Sequence, residues 1–479
     1  WTPELVSDNG FVEPPATPED GYHLTEDLAD RAIRLLQDQH QATPNRPFLL
    51  YFATGAMHAP HQAPREWIDR YAGAFDDGWE RWRERIFERQ VAEGVVPEGT
   101  VLPDRPSWVP DWDILGDDER RVYARLMEAY AGFLSHTDAQ IGRVLDHLET
   151  TGQLDDTLVM LISDNGASAE GGPQGSLNEH RFTHDMVDDP ATLVDRIDDI
   201  GGHRAYNHYA WGWAWAGNTP FRLWKRYAWL GGVRTPLIVH WPNGIEARGE
   251  VRDQFCHVID LMPTVLDSVG IDRGAGVEDA ALDGAPLGPT FDDAGAPSPR
   301  DTQYFEMLGS RSLYHDGWKV TTDHISPGLT VEVENIPGSR DFEQDHWALF
   351  DLRTDPSESR DLSAEHPDKV DELVARWWDE AERNQVLPLS DAFLARAVAL
   401  SPNPEGVRTA AVIRPGGGPV NEDTLPPMGG GFRITATVDV GPASSGVVAA
   451  LGDWHNGWAL HLADGAPAFV MSLFGDRRG

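Results

Sequence analysis

The sequence predicts an α/β protein: a sheet flanked by helices, then a smaller C-terminal α+β subdomain, then the start of an all-β sandwich. Three observations carry that reading. Thr157-Leu-Val-Met-Leu-Ile is an apolar run of strand length that stops at Ser163-Asp164-Asn165-Gly166. Unbroken runs of this kind mark buried parallel strands, and open α/β sheets place their ligands at the carboxyl ends of such strands. A second strand candidate, Pro47-Phe-Leu-Leu-Tyr-Phe-Ala53, follows a helical stretch in the same rhythm. Beyond residue 300 the strand signals are short and consecutive, and beyond residue 431 they alternate apolar with polar, as half-buried antiparallel strands do.

Taken in order, Thr25 is placed to cap a first helix. Glu26 and Asp27 lie in its opening turn, and Leu28, Ala32, Leu35 and Leu36 fall on one face. A polar loop at 41–46 leads into the 47–53 strand. Residues 65–115 are rich in Trp and charge without a clean period. From Asp117 a long helix runs through Leu126, Tyr130, Phe133, Leu134, Thr137, Ile141, Val144, Leu145 and Leu148, and Thr151-Gly152 ends it. The 157–162 strand follows at once.

The stretch 167–220 reads as an elaborate loop, and its Trp, Tyr and His content favours a functional one. A third short strand is expected at 235–241 and a helix at 258–269. Residues 270–300, rich in Gly, Ala, Asp and Pro, form a boundary. Strands are expected at 302–308, 311–314 and 318–322. A helix follows with Pro367 in its first turn and Val370, Leu373, Val374, Trp377 and Ala381 on one stripe. Residues 401–431 read as a Pro/Gly linker. Phe432, Ile434, Ala436, Val438 and Val440 alternate with polar residues, as do Trp458, Leu460 and Leu462. Those strands are too few to close a sandwich, so C-terminal truncation is expected. The expected division is 1–300, 301–398, a linker at 399–431, and 432–479.

Composition bounds the function. A chain of 479 residues with 40% apolar residues and 18 Trp has ample material for more than one core. No run of eighteen apolar residues occurs, so no membrane-spanning helix is expected. The formal charge of −39 argues against a nucleic-acid partner, because a polyanion would be repelled. An anionic substrate would instead need locally concentrated positive charge, a metal included. The single cysteine, Cys256, excludes an intrachain disulfide, and its apolar neighbours suit a small buried hydrophobe. Lysine occurs only at 225, 319 and 369, leaving 36 of the 39 basic residues as Arg. A lysine kept against that bias suggests a place where a compact ammonium is needed. Compartment is not readable, cytoplasm and periplasm both remaining open.

Three places combine into a chemistry. Asp164 and Asn165 offer adjacent carboxylate and amide oxygens of the kind that hold a hard cation. His58, in Ala56-Met57-His58-Ala59-Pro60, sits just past the 47–53 strand and is stiffened by proline. Lys225 precedes Gly231-Gly232 and the 235–241 strand. A metal pair, an acid/base and a fixed cation near strand ends suit transfer of a tetrahedral oxyanion group. Phosphate and sulfate esters both fit.

Several segments together resemble a known family. Ser163-Asp-Asn-Gly166 is followed by Asn218-Thr-Pro-Phe-Arg-Leu-Trp-Lys225, then Gly231-Gly-Val-Arg-Thr-Pro236, then His257-Val-Ile-Asp-Leu-Met-Pro-Thr264. Gly317-Trp-Lys319 and Trp347-Ala-Leu-Phe-Asp-Leu-Arg-Thr-Asp355-Pro-Ser-Glu358 come later. In this order they resemble the type I, formylglycine-dependent sulfatases, bacterial arylsulfatase group, over residues 1 to about 395. The resemblance implies an alkaline-phosphatase-like fold, one Ca²⁺ ion and hydrolysis of a small-molecule sulfate ester. It implies Asp164 and Asn165 as part of the metal site, Lys225 as the lysine on the sulfate group, and His58 as the donor to the leaving group. Asp260, Asp355 and Glu358 are expected to be structural.

The chain departs from the family pattern in one respect. The family's nucleophile is a formylglycine, made by a formylglycine-generating enzyme from Cys or Ser in Cys/Ser-x-Pro-x-Arg. Here Cys256 is followed by His257 and Val258, and Ala42-Thr-Pro-Asn-Arg46 and Val101-Leu-Pro-Asp-Arg105 lack the nucleophile. The family's paired aspartates, early lysine and early histidine also have no counterpart after an apolar run. The expectation is an N-terminal segment on the order of a hundred residues outside this chain, carrying the nucleophile and the remaining calcium ligands. The fragment itself is then expected to be inactive. Two alternatives remain: a phosphoesterase or phosphonate monoester hydrolase, and a non-catalytic pseudo-sulfatase with a glycan-binding β-domain. The aromatic run 206–215 reads equally as a pocket wall or as core, and whether His203 or His208 reaches substrate is open.

Overall fold

The computed structural model describes residues 3, 5–183, 186, 188–271, 282–324, 341–392, 409–414, 420, 425–426, 431–452, 456–473 and 476–478. The chain separates into two compact units, Trp1–Asp391 and Ala392–Gly479. The first takes in the expected 1–300 segment and nearly all of 301–398.

In the first unit a short ribbon, β1 (Leu5–Ser7) and β2 (Gly10–Val12), precedes the helix Leu24–Ala42. Its cap is His23 rather than Thr25: His23 Nδ1 accepts from the Thr25 N–H at 3.2 Å. Burial and His136 push the His23 ring down to about 3, so it stays neutral and keeps that lone pair.

The Asp117–Thr150 helix begins where Glu119 reaches back to the Gly116 N–H at 2.7 Å, with acidic residues through its first turn. It buries Val122, Tyr123, Leu126, Met127 and Phe133 in one core shared with residues of the helices Gly78–Ala92 and Trp211–Gly217. Trp213 is the hub. Phe75, Trp79 and Trp112 meet its ring at centroid distances of 5.3, 5.7 and 5.7 Å and at steep angles, and its N–H donates to Tyr123 O at 2.9 Å. Each such aromatic pair contributes about 0.5–1.5 kcal/mol beyond area burial. Tyr209, Trp211, Trp213 and Trp215 are all buried here, so the aromatic run 206–215 is core rather than a pocket wall.

β3 (Val159–Ile162) and β4 (Leu237–His240) occupy the expected places but pair antiparallel, Val159 opposite His240 and Ile162 opposite Leu237. The expected buried parallel strand is thus corrected in direction and in burial, Leu161 and Ile162 being exposed. An all-apolar run signals faces suited to burial, but it does not say which neighbour covers them. Residues 47–53 likewise form no strand. Phe48, Leu50 and Phe52 lean on the core made by Ala29, Leu36, Val144 and Leu148, while Leu49 and Tyr51 face out.

β5 (Thr302–Met307), β6 (Ser310–His315) and β7 (Trp318–Thr322) form the expected antiparallel strands, and β8 (Trp347–Asp351) joins them as a fourth. The helix Pro367–Arg383 covers them, burying Leu373, Trp377 and Ala381 over Leu313, Val320 and Leu349. Asp355 holds the turn after β8, accepting from the Ser359 and Arg360 N–H groups at 3.0 and 2.8 Å.

The second unit is a meander of β9 (Gly446–Gly452), β10 (Gly457–Ala463), β11 (Ala466–Leu473) and β12 (Asp476–Arg478). Asp464 and Gly465, both at positive φ, make the two-residue turn between β10 and β11. Phe432–Val440, expected as a strand, forms none, although Phe432 does pack on Trp458 at 5.2 Å between ring centroids.

Candidate functional site

Two backbone segments are built around each other to make this site. One is the turn after β3. Gly166 donates its N–H to Gly232 O at 3.1 Å, and a Cβ on Gly166 would stand 1.7 Å from Gly231 O, so only glycine permits the approach. Gly231 is equally confined, its would-be Cβ meeting Arg222 O at 2.0 Å. The other segment carries Lys225. Its N–H donates to Ala167 O at 2.9 Å. Asn218 bridges the two, accepting from the Ala167 N–H and donating to Leu223 O, each at 2.9 Å.

Behind them lies Arg83, fully buried in the Gly78–Ala92 helix. It donates to the carbonyls of Trp215, Pro220 and Phe221 at 2.9, 2.9 and 3.0 Å and to Thr219 Oγ1 at 3.3 Å. Burial pushes its guanidinium down to about 9. One side chain therefore fixes the whole turn leading to Lys225.

His58 comes from a third direction. Its N–H donates to Gly55 O at 3.1 Å. The segment after it is tied down by His61 N–H to Asn207 O at 3.0 Å and by Gln62 Nε2 to Ala205 O at 2.7 Å. His58 Nδ1 lies 2.8 Å from Ala59 O, and a carbonyl can only accept, so Nδ1 carries the proton. That leaves the Nε2 lone pair facing Lys225 Nζ at 3.3 Å. The two predicted residues, 167 positions apart in sequence, are thus in hydrogen-bond contact.

Asp164 and Asn165 sit at the start of the turn, three and two residues before Ala167, Asp164 exposed and Asn165 half-buried. Thr235 Oγ1 donates to Ser163 O at 2.6 Å and fixes where that turn leaves β3. The carboxylate and amide suit a hard cation by donor chemistry, but two oxygens leave most of a six- to eight-oxygen shell to other groups. Among the described residues no group of three or more His, Cys, Asp or Glu gathers to hold a metal.

Two carboxyl groups that sequence reasoning did not single out complete the site. Glu170 Oε1 lies 3.1 Å from Lys225 Nζ, and Glu170 Oε2 lies 3.9 Å from His208 Nε2. Burial alone would raise the Glu170 carboxyl, but Lys225 and His208 outweigh it and hold it below its usual range. Glu179 is buried, and among the described residues its Oε2 has no hydrogen-bond partner. Burial, with the charge of Glu170 next, pushes it up to about 7. The only sequence signal for Glu170 is its place six residues after Asp164; Glu179 had none among 78 acidic residues.

His208 is fully buried, its Nε2 3.0 Å from Ser168 Oγ, and burial pushes it down to about 4, so it is neutral. His203 pairs with Glu19 at 3.5 Å. Asp260 accepts from the His257 and Ala285 N–H groups, each at 2.8 Å, and from Arg300 Nη2 at 2.8 Å, in the structural role expected. Burial raises the Cys256 thiol, which suits a packed hydrophobe.

Glu179 gives a stability test. Its folded-state value lies above the ordinary carboxyl range, so the native chain binds the proton more tightly than the unfolded chain does. Stability therefore falls as pH rises from about 4.5 to about 7, by up to about 3 kcal/mol. Glu179→Gln keeps the neutral shape. In urea titrations it should match the parent at pH 4.5 and exceed it above pH 7, and parallel curves at both pH values would contradict the assignment.

The Sulfatase family model matches residues 2–271, and the model for the N-sulphoglucosamine sulphohydrolase C-terminal region matches residues 221–385. An uncharacterised sulfatase of Schizosaccharomyces pombe is 28% identical over 375 residues, covering 77% of this chain and 64% of that protein. An arylsulfatase of Klebsiella aerogenes is 30% identical over 236 residues, 48% of each chain. The crystal structure of Ps i-CgsB superposes with a TM-score of 0.50 at 18% identity, covering 82% of this chain and 61% of that one, which speaks to the fold alone. The chain thus spans less than two thirds of the length of these proteins. No described helix is long and apolar enough to cross a membrane.

Proposed function

We propose that this chain, which belongs to the sulfatase family, is the part of a sulfuric ester hydrolase that grips the sulfate group and protonates the departing oxygen, with an aryl sulfate as substrate. The observation that supports this most is the contact between Lys225 Nζ and His58 Nε2, with Ala59 O fixing the ring's tautomer. The Lys225 ammonium is placed to neutralise a non-bridging sulfate oxygen as S–O cleavage builds charge. With Nδ1–H held on Ala59 O, His58 can act as the acid at Nε2 only as the imidazolium, in which Nε2 carries a second proton in place of the Lys225 hydrogen bond; the leaving oxygen takes that proton and departs as the phenol, and the ring returns to its neutral form. Asp164 and Asn165 supply two oxygens toward a calcium ion, which when bound adds positive charge at the sulfate oxygens.

In this reading the formylglycine nucleophile and the other calcium ligands come from a segment outside these 479 residues, because no Cys/Ser-x-Pro-x-Arg occurs within them. The test is to express the parent polypeptide with a formylglycine-generating enzyme, confirm the modified residue by mass spectrometry, and assay an aryl sulfate, a phosphate monoester and a phosphonate monoester. Sulfate ester hydrolysis by the parent and none by the 479-residue chain is the expected outcome. Faster turnover of the phosphonate would move the assignment to the phosphoesterase side, and no turnover of any ester with formylglycine in place would make the protein non-catalytic.

A further inference from the structure

We propose that Glu170 is the positioning residue of this site: its carboxylate holds the Lys225 ammonium at the end of its flexible stem so that Nζ faces His58 Nε2. This deepens the reading above and rests on it only for its catalytic meaning. Among the described residues Lys225 has two side-chain partners, Glu170 Oε1 at 3.1 Å and His58 Nε2 at 3.3 Å. A lysine stem has four rotatable carbons, and a single acceptor on one side would leave the ammonium free to swing. The imidazole is that single acceptor, and it is neutral in the state where its Nε2 lone pair receives the Nζ–H bond. The carboxylate supplies the opposing anchor and the charge.

The surroundings favour this arrangement over a chance surface pair. Lys225 is about three-quarters buried and Glu170 about two-thirds, their side chains 26% and 34% exposed. His208, neutral and fully buried, backs the carboxylate from one side, and His61 packs on His208 at 4.7 Å between centroids with the rings tilted by 48°. The other acidic group facing the pair is Glu179, which Glu170 and Lys225 influence in opposite directions. Two carboxyl groups this close do not both ionise readily. Below about pH 7 the one that touches Lys225 keeps the charge, and the buried one beside it holds the proton. The local charge is then one carboxylate against one ammonium, which an arriving sulfate ester can enter without meeting two anions. The incoming anion competes with Glu170 for Lys225.

The scarcity of lysine makes the proposal directly testable on the 479-residue chain, with no substrate and no turnover. Its three lysines differ in environment: Lys225 in the site, Lys319 fully buried, and Lys369 on a helix surface. Limited acylation at fixed pH, read peptide by peptide in a mass spectrometer, gives the rate at Lys225 against Lys369 as an internal standard. Lys319 reports opening of the fold. Without the opposing carboxylate the ammonium is held only by His58, and a lysine end freed to swing into solvent meets the reagent more often.

Glu170→Gln should therefore raise the Lys225 rate severalfold with Lys319 still protected, and Glu170→Asp, whose carboxylate sits one methylene farther back, should fall between it and the parent. An unchanged Lys225 rate in Glu170→Gln overturns the proposal. Should that variant expose Lys319, Glu170→Asp against the parent decides, and equal Lys225 rates there overturn it. Failure of sulfate hydrolysis in the parent polypeptide would leave this result standing, and an unchanged labelling rate would leave the hydrolase reading standing, so the two failures are distinguishable.

Discussion

Replacing Lys319 with methionine is expected to remove about 3–5 kcal/mol of folding stability, the usual cost of leaving one member of a buried ion pair without its partner. Lys319 in β7 is 1% exposed and Glu358 is fully buried. The ammonium is paired with Glu358 Oε1 and donates to Ala228 O at 2.9 Å, and Glu358 Oε2 accepts from the Leu230 N–H at 2.8 Å. Burial lowers the Lys319 ammonium while Glu358 opposes that shift. Methionine fills the volume of the stem but leaves Glu358 buried as an anion with a single N–H donor from Leu230. The double variant Lys319→Met/Glu358→Gln should recover a large part of the loss, because it removes the stranded charge. Urea titrations of the parent, both single variants and the double variant measure this directly. A single-variant loss below about 1 kcal/mol would mean the pair is not the clamp described.

The consequence reaches the site. Residues 228–230 lie three to five positions after Lys225, and Gly231-Gly232 next to them carry the close approach to Gly166. Trp229 adds a bond from its indole N–H to Asp323 at 2.7 Å, and burial pushes Asp323 up to about 6. The C-terminal subdomain therefore fastens the segment that follows Lys225. Part of the family signature, Lys319 and Glu358, is conspicuous in the sequence because it performs that fastening.

His58 and Lys225 were legible in the sequence for physical reasons. A lysine that persists in an arginine-rich chain, and a histidine that follows an apolar run and precedes Pro60 and Pro64, both narrow the possibilities before any coordinates are seen. Glu170 was not legible, because one glutamate among 78 acidic residues carries no local mark; only the fold puts it 3.1 Å from Lys225 Nζ. Arg83 was hidden for the same reason, one arginine among many until its helix aims it at three carbonyls and a hydroxyl.

Helices were read better than strands. The Asp117–Thr150 periodicity is a property of the segment itself. The direction and burial of β3 depend on its neighbours, which a run of Val, Met, Leu and Ile does not specify. The same holds for Phe432–Val440, whose strict alternation satisfies a strand pattern without any strand forming. The cap at His23 was missed because histidine caps only when held neutral, and burial provides that condition.

Replacing Lys225 with alanine in the formylglycine-bearing parent polypeptide is expected to lower kcat for an aryl sulfate by about 10²–10³, the range seen when one preorganised group facing developing negative charge is removed. The fall should appear mainly in kcat rather than KM, because the charge on the sulfate oxygens grows toward the transition state. Folding should change little, since Lys225 and Glu170 are both partly exposed and an ion pair of that kind contributes about 1 kcal/mol or less.

Lys225→Arg is the sharper comparison. Arginine is the basic residue this chain uses almost everywhere else, 36 times in 39, so if charge alone were needed it should restore activity. The geometry argues that it will not. A planar guanidinium is wider than an ammonium, and the space for Nζ is bounded by His58 Nε2 at 3.3 Å and Glu170 Oε1 at 3.1 Å. Arginine at 225 should therefore remain at least tenfold below the parent while leaving the urea midpoint unchanged. Full activity in Lys225→Arg would show that the site reads only charge, and the compact ammonium between imidazole and carboxylate would then have no role in the chemistry.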